Sequence, residues 1–218
     1  MTRLFVRAVE QALQPMADAT RASGMAAYMK HQFAYLGIAT PVRRAACKPL
    51  IRTFDGDSLA AAQALWRKTE REYQYVACDL LRHQAKHLDG NALPQLETLV
   101  QSKSWWDSVD ALAPVFGEIV LRERSLTKRM DQLIESDNFW LRRIALLHQL
   151  SWKRETDEKR LFAYCLQCAG EQEFFIRKAV GWALRQHARV APDAVQAFVD
   201  KHRERLSPLS VREALKHL

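Results

Sequence analysis

Apolar residues recur every three or four positions along nearly the whole of this 218-residue sequence, and no segment of it prefers a strand. A chain patterned in this way folds into helices that each bury one stripe. The punctuation agrees. Seven Gly and seven Pro are too few to supply the turn every roughly 8–12 residues that a β-sandwich or barrel needs. Neither GxGxxG nor GxxxxGK[ST] occurs, which argues against dinucleotide-binding and P-loop folds. Thr40-Pro41 reads as an N-cap with proline at the first helical position, opening a helix through Ala45, Leu50 and Phe54. Asp57 or Ser58 is placed to cap the next helix, and Ser104 to cap one that holds Trp105 to Val120.

The helices also repeat. Tyr73, Trp106, Trp140 and Phe175 follow one another at steps of 33, 34 and 35 residues, each near the start of a helical segment. Five residues beyond each stands a small or apolar residue: Cys78, Ala111, Ala145 and Val180. A helical period of this length is that of stacked HEAT- or armadillo-like pairs, in which each unit buries its face on its neighbours. The expected fold is therefore all-α, a HEAT-like helical-repeat solenoid, or α-α superhelix, forming one domain over residues 1–218.

Charge limits what such a fold would contact. The chain carries 33 Lys and Arg against 25 Asp and Glu, a net +8, with 48% hydrophobic and 27% charged residues. That is a globular balance. The excess of cations indicates a polyanionic partner, nucleic acid first, or serves solubility alone. No apolar run approaches the roughly 18 residues of a membrane helix. Charges at Arg3, Arg7 and Glu10 break what would be the core of a signal peptide, so secretion is not expected, and a cytoplasmic protein with no membrane partner is.

Two patterns resemble metal sites and lack the rest of one. Cys165 and Cys168 form a C-x-x-C inside an apolar helical stretch, with no second pair at zinc-finger spacing; buried reduced thiols are the expected state. His83 and His87 stand at i, i+4 without a zincin glutamate between them, and a solvated face is expected there. No metal and no cofactor is called for.

The repeat exposes its own exceptions. Four residues after the leading aromatic, three copies are apolar (Ala77, Ile144, Ala179), while the second has Asp110. Three residues after it, Val76 and Val109 give way to Arg143 and Lys178 in the last two copies. An ionised group on a packed face is very costly unless partnered. Either this face lines an open groove, or Asp110 and Arg143 form a salt bridge that only joins neighbouring repeats. The concave side of a solenoid would display Arg142, Arg143, Arg177, Lys178, Arg185 and Arg189, with Trp105, Trp106, Trp140 and Trp182 on the same helices. Arginines that track a polyanion with aromatics between them fit a nucleic-acid groove. Tryptophans at helical spacing are more often core, and at least two of the four are expected inside.

Six blocks in order resemble the AlkD-type DNA-alkylation-repair glycosylases, a family built of HEAT-like repeats: MAAYMKHQFAYLGIATPVRR at 25–44, EREYQYVACDLL at 70–81, SKSWWDSVDALAP at 102–114, SDNFWLRRIALLHQLSWK at 136–153, EFFIRKAVGWALRQHA at 173–188 and LSPLSVREALKH at 206–217. The resemblance implies excision of purines alkylated at N3 or N7, such as 3-methyladenine and 7-methylguanine, from duplex DNA. Residue by residue, it implies catalytic roles for Trp106 and Asp110 of the SWWDSVD block and for Trp182 of GWALR. It implies DNA contact by Arg143, the second Arg of WLRRIA, and by Tyr28. Lys178, Arg185 and Arg142 join them as expected phosphate contacts on the same basic surface.

The implied chemistry is economical. A purine alkylated at N3 or N7 is cationic, so the base leaves neutral and needs no general acid. What remains is to stabilise an oxocarbenium-like sugar and position water, which one carboxylate can do. With no nucleophilic lysine in a helix–hairpin–helix setting, the expected enzyme is monofunctional, leaves an abasic site and works as a monomer. The alternative is a HEAT-repeat protein that binds damaged or branched duplex without catalysis and has no need of Asp110.

Overall fold

The structure is a computed structural model that describes residues 1–218. The chain is all-α, with no strand. It forms two compact units, Met1–Leu88 and Asp89–Leu218. No helix is long and apolar enough to cross a membrane.

The first unit contains α1 (Thr2–Leu13), α2 (Ala19–Tyr28), α3 (Thr40–Thr53), α4 (Ser58–Trp66) and α5 (Arg71–Gln84). Helix α1 packs on α3 and α4, and both of those pack on α5. The shared core holds Val9, Leu13, Cys47, Leu65, Val76 and Leu80. Asp57 caps α4, accepting from Ala60 N at 2.9 Å. Helix α3 starts one residue earlier than its Thr-Pro signal predicts, with Ala39 at the N-cap and Pro41 within the first turn. A fully buried carboxylate fixes the entry to α3: Glu72 accepts from the backbone N–H of Leu36, Gly37 and Ile38 at 2.9, 2.9 and 3.1 Å. Backbone donors to a carboxylate are charge-assisted, so Glu72 is satisfied without a cation.

The second unit is the regular repeat. It contains α6 (Leu93–Gln101), α7 (Trp106–Arg122), α8 (Thr127–Leu133), α9 (Phe139–Leu147), α10 (Glu158–Gln167), α11 (Phe174–Ala188), α12 (Pro192–Lys201) and α13 (Pro208–Ala214). Successive helices pair as α6/α7, α8/α9, α10/α11 and α12/α13, and α7, α9, α11 and α13 pack side by side in one row. This is the arrangement of a HEAT-like helical repeat. The predicted leading aromatics open helices of that row: Trp106 is the first residue of α7, Trp140 the second of α9 and Phe175 the second of α11. Ser104 does not cap α7. Its hydroxyl donates to Val100 O of α6 at 2.6 Å, which leaves an extended Trp105 at the N-cap.

Two glycines set how closely the row packs. A Cβ at Gly117 of α7 would stand 2.0 Å from the carbonyl oxygen of His148, the residue that follows α9. A Cβ at Gly181 of α11 would stand 2.5 Å from Glu213 Cβ and 2.8 Å from Ser210 O, both of α13. Backbone-to-backbone approach at these crossings excludes any larger residue.

Candidate functional site

The one carboxylate that interrupts the apolar repeat meets the cation of the next repeat. Asp110 of α7 and Arg143 of α9 form a two-pronged pair: Arg143 Nε donates to Oδ1 at 2.7 Å and Nη2 donates to Oδ2 at 2.8 Å. Arg143 Nη1 donates to the carbonyl of Phe175 at the start of α11. One guanidinium thus ties three consecutive helices of the row. It spends three of its five N–H donors inside the protein and keeps two. The Arg143 side chain is 5% exposed, whereas that of Asp110 is 17% exposed. The carboxylate is therefore the member of the pair that still faces outward.

Burial pushes the Asp110 carboxyl above the ordinary aspartate range. The hydrogen bonds and charge of Arg143 pull the other way, and nearby Asp107 adds to the rise. The pair sits against an aromatic wall. The Trp105 and Phe175 rings are 5.2 Å apart, Trp140 and Phe175 5.0 Å, and Trp105 and Trp140 6.1 Å. The Arg143 guanidinium carbon lies 6.0 Å from the Phe175 ring centre. Trp140 is buried, and Trp105, Trp106 and Trp182 are half-buried. Trp106 stands four residues before Asp110, on the same side of α7, and Trp182 lies seven residues after Phe175 on α11.

The other residues expected at DNA are placed as follows. Lys178 and Arg185 of α11 converge on Glu213 of α13 at 3.0 and 2.6 Å, and these cations hold the Glu213 carboxyl below its usual range. Arg142 is committed elsewhere. It grips both oxygens of Glu171 at 2.9 and 2.6 Å and donates to the carbonyls of Ser136 and Asp137. Tyr28 belongs to the first unit, where it ends α2 and is 75% exposed. Cys165 and Cys168 are buried free thiols whose pKa burial pushes up, that of Cys168 to about 12.

Sequence reasoning offered the Asp110–Arg143 pair, 33 residues apart, as one of two outcomes, and missed the other counter-charges. Glu213 follows Lys178 by 35 residues and Asp79 follows Arg43 by 36. Opposite charges one repeat apart are the signal that would have found both. The Phe175 carbonyl had no signal, because a backbone group carries none.

The comparisons with known proteins identify the family. A family model described as DNA alkylation repair enzyme matches residues 9–218, across both units. Among solved structures, the chain is similar to a predicted DNA alkylation repair enzyme from Enterococcus faecalis. The two share 36% identity with a TM-score of 0.83, over 93% of this chain and 96% of the other. No curated protein matches.

Proposed function

The chain belongs to the DNA alkylation repair enzyme family, and we propose that it is a monofunctional glycosylase that releases cationic N3- or N7-alkylated purines from duplex DNA. The observation that carries this reading is Asp110: a carboxylate on an otherwise apolar repeat position, oriented by two N–H donors from Arg143 and still open on one side. The glycosidic C1′–N bond breaks with its electron pair going to the base, which leaves neutral. Positive charge grows on the sugar, and an oriented carboxylate opposes it with no reorganisation at the moment of reaction. Water then adds to C1′ and gives its proton to Asp110 or to solvent. The products are free base and an abasic site.

In this reading Arg143 positions Asp110. Trp106 and Trp182 set their faces against the cationic purine or the sugar–phosphate backbone. The proposed setting is the cytoplasm, at the nucleoid, with the protein acting as a monomer. The test is release of free base from a duplex bearing N7-methylguanine, comparing the protein with Asp110→Asn. The expected loss is about 10²-fold or more. Equal release by the two would remove Asp110 from the chemistry.

One observation favours a second reading. Both oxygens of Asp110 are engaged by Arg143, as in a pair that only joins repeats. The protein would then be a HEAT-repeat binder of damaged duplex, and neither form would release base although both bind.

A further inference from the structure

A second surface lies between α1 and α3, in the first unit and apart from the Asp110 site. Helix α1 is strongly amphipathic: Phe5, Val9 and Leu13 are buried, while Arg3, Arg7 and Gln11 face solvent. Between those two sides runs a stripe that is apolar and uncovered. Met1 is 74% and Leu4 71% exposed, and Ala8 is half-buried. Opposite them, α3 presents Leu50, and Phe54 and Asp55 follow at its end. The space between is a groove of about 250 Å³. Its floor is close-packed. The Phe5 and Phe54 rings are 4.4 Å apart, and a Cβ on Gly56 would stand 2.9 Å from the Phe54 ring.

The lining on α1 stands at i, i+3, i+4 and i+7, from Met1 through Leu4 and Phe5 to Ala8. That is the register in which one helix contacts another. At 1.5 Å per residue it spans about 10 Å, or two turns of a docked helix. The charges beside it are unbalanced. Arg3 and Arg7 are exposed and four residues apart. The one acid of α1, Glu10, is taken by Lys68, and neither arginine pairs with a carboxylate. Two free cations along an apolar stripe complement a helix whose own apolar stripe is flanked by acids four residues apart. A second copy of this face is a poor match, because an isologous contact sets the same patch on both sides and brings four arginines together. A phosphate backbone would use the arginines and leave Leu4 and Leu50 without a partner.

We propose that the α1–α3 groove docks an acidic amphipathic helix of another protein, with an apolar anchor between Leu4 and Leu50 and carboxylates on Arg3 and Arg7. The inference takes nothing from the reading of Asp110, since no residue of the groove takes part in that chemistry. So small a groove buries less than the roughly 1,200 Å² of a stable interface, and the partner it fits binds transiently, at about micromolar Kd. The anchor carries most of the binding, because it fills a pocket, while the carboxylates set orientation and on-rate.

The experiment uses the full chain and fluorescently labelled helical peptides of about 15 residues. One carries Leu at i, i+3, i+4 and i+7 with Glu at i, i+4 beside that stripe. The second has Lys in place of each Glu, and the third has Ser in place of each Leu. Binding is followed by anisotropy for the wild type, for Leu4→Asp and for Arg3→Glu/Arg7→Glu. All three positions are exposed, so the variants leave the core intact. The acidic peptide is expected to bind the wild type at about micromolar Kd, and about tenfold more tightly than either of the others. Leu4→Asp is expected to weaken it about tenfold. Arg3→Glu/Arg7→Glu is expected to reverse the preference toward the Lys peptide, which a damaged fold would not do. The proposal is overturned if the acidic peptide binds no better than the Lys peptide, or if Leu4→Asp binds like the wild type. It is also overturned if Leu4 and the two arginines matter only for duplex DNA, only for vesicles of phosphatidylserine and phosphatidylcholine, or only for a concentration-dependent dimer. Base release by the wild type from an N7-methylguanine duplex is scored separately. No release, with peptide binding as expected, would sink the excision reading and support this site; release, with binding indifferent to α1, would sink this site alone.

Discussion

The cations of α3 and those of α9 and α11 look alike in sequence and behave differently in the fold. On α9 and α11, Arg142, Arg143, Lys178 and Arg185 are each held by a carboxylate. On α3, Lys48 and Arg52 are held by none, and Arg44 shares Asp79 with Arg43. The difference teaches that a basic stripe on a helical repeat has two fates. Where the neighbouring repeat offers an acid at the matching position, the stripe is an internal latch between helices. Where it offers none, the stripe stays in solvent.

The sharpest test of the latch uses neighbouring residues. Arg143 is nearly buried and bridges α7, α9 and α11, whereas Arg142 lies in a pair about one-fifth exposed on each side. Removing one member of a buried pair strands the other charge. Arg143→Ala is expected to cost about 3–5 kcal/mol by denaturant titration. Arg142→Ala is expected to cost less, about 1–2 kcal/mol, because its pair with Glu171 is part-buried rather than buried. Equal losses would mean that burial does not separate the two arginines, and the account of Arg143 as the tie of the row would fail.

A smaller effect tests whether latched cations can be released. Glu213 is the shared partner of Lys178 and Arg185. Glu213→Gln keeps the shape and removes the charge that occupies both. If these cations become available to phosphate, affinity for undamaged duplex should rise by about threefold to tenfold at low salt, with a salt slope steeper by about 1–2. Unchanged affinity and slope would mean that the α11 cations stay internal with or without their acid.

This contrast also marks what could be read from the chain. The apolar period placed the helices, and the 33–35-residue step placed Trp106, Trp140 and Phe175 at the starts of successive helices in one row. Asp110 stood out because it broke a rule that the other copies obeyed, and its pairing with Arg143 was one of the two outcomes such a break permits. Less legible was the use of each cation, because pattern shows which face a side chain occupies and not which acid faces it from the next repeat. Ser104 shows the same limit at a helix end. A serine before a helix can cap it or satisfy the helix behind it, and the hydroxyl went to Val100 of α6. The stripe of α3 was passed over because it breaks no repeat rule.

The smallest effect, and the finest division between the two kinds of charge, is in pH. Asp110 and Glu213 are both ion-paired carboxylates of the same row, yet their acidities move in opposite directions. Desolvation outweighs Arg143 at Asp110 and raises its pKa above 3.8, while Lys178 and Arg185 lower that of Glu213 below 4.5. For Asp110 the folded state binds the proton more tightly than the unfolded one. Its contribution to stability is therefore present below the ordinary aspartate pKa and is lost as pH rises through the raised value. For Glu213 the contribution is present above the ordinary glutamate pKa and is lost as pH falls through the lowered value. Stability followed against pH should thus lose a rising-pH penalty in Asp110→Asn and an acid-side loss in Glu213→Gln. Base release should fall on acidification with a midpoint above that of an ordinary aspartate, since the protonated carboxyl cannot oppose a growing cation. A release profile that is flat through that range would separate the acidity of Asp110 from the reaction. It would leave the carboxylate as a latch of the same kind as Glu213.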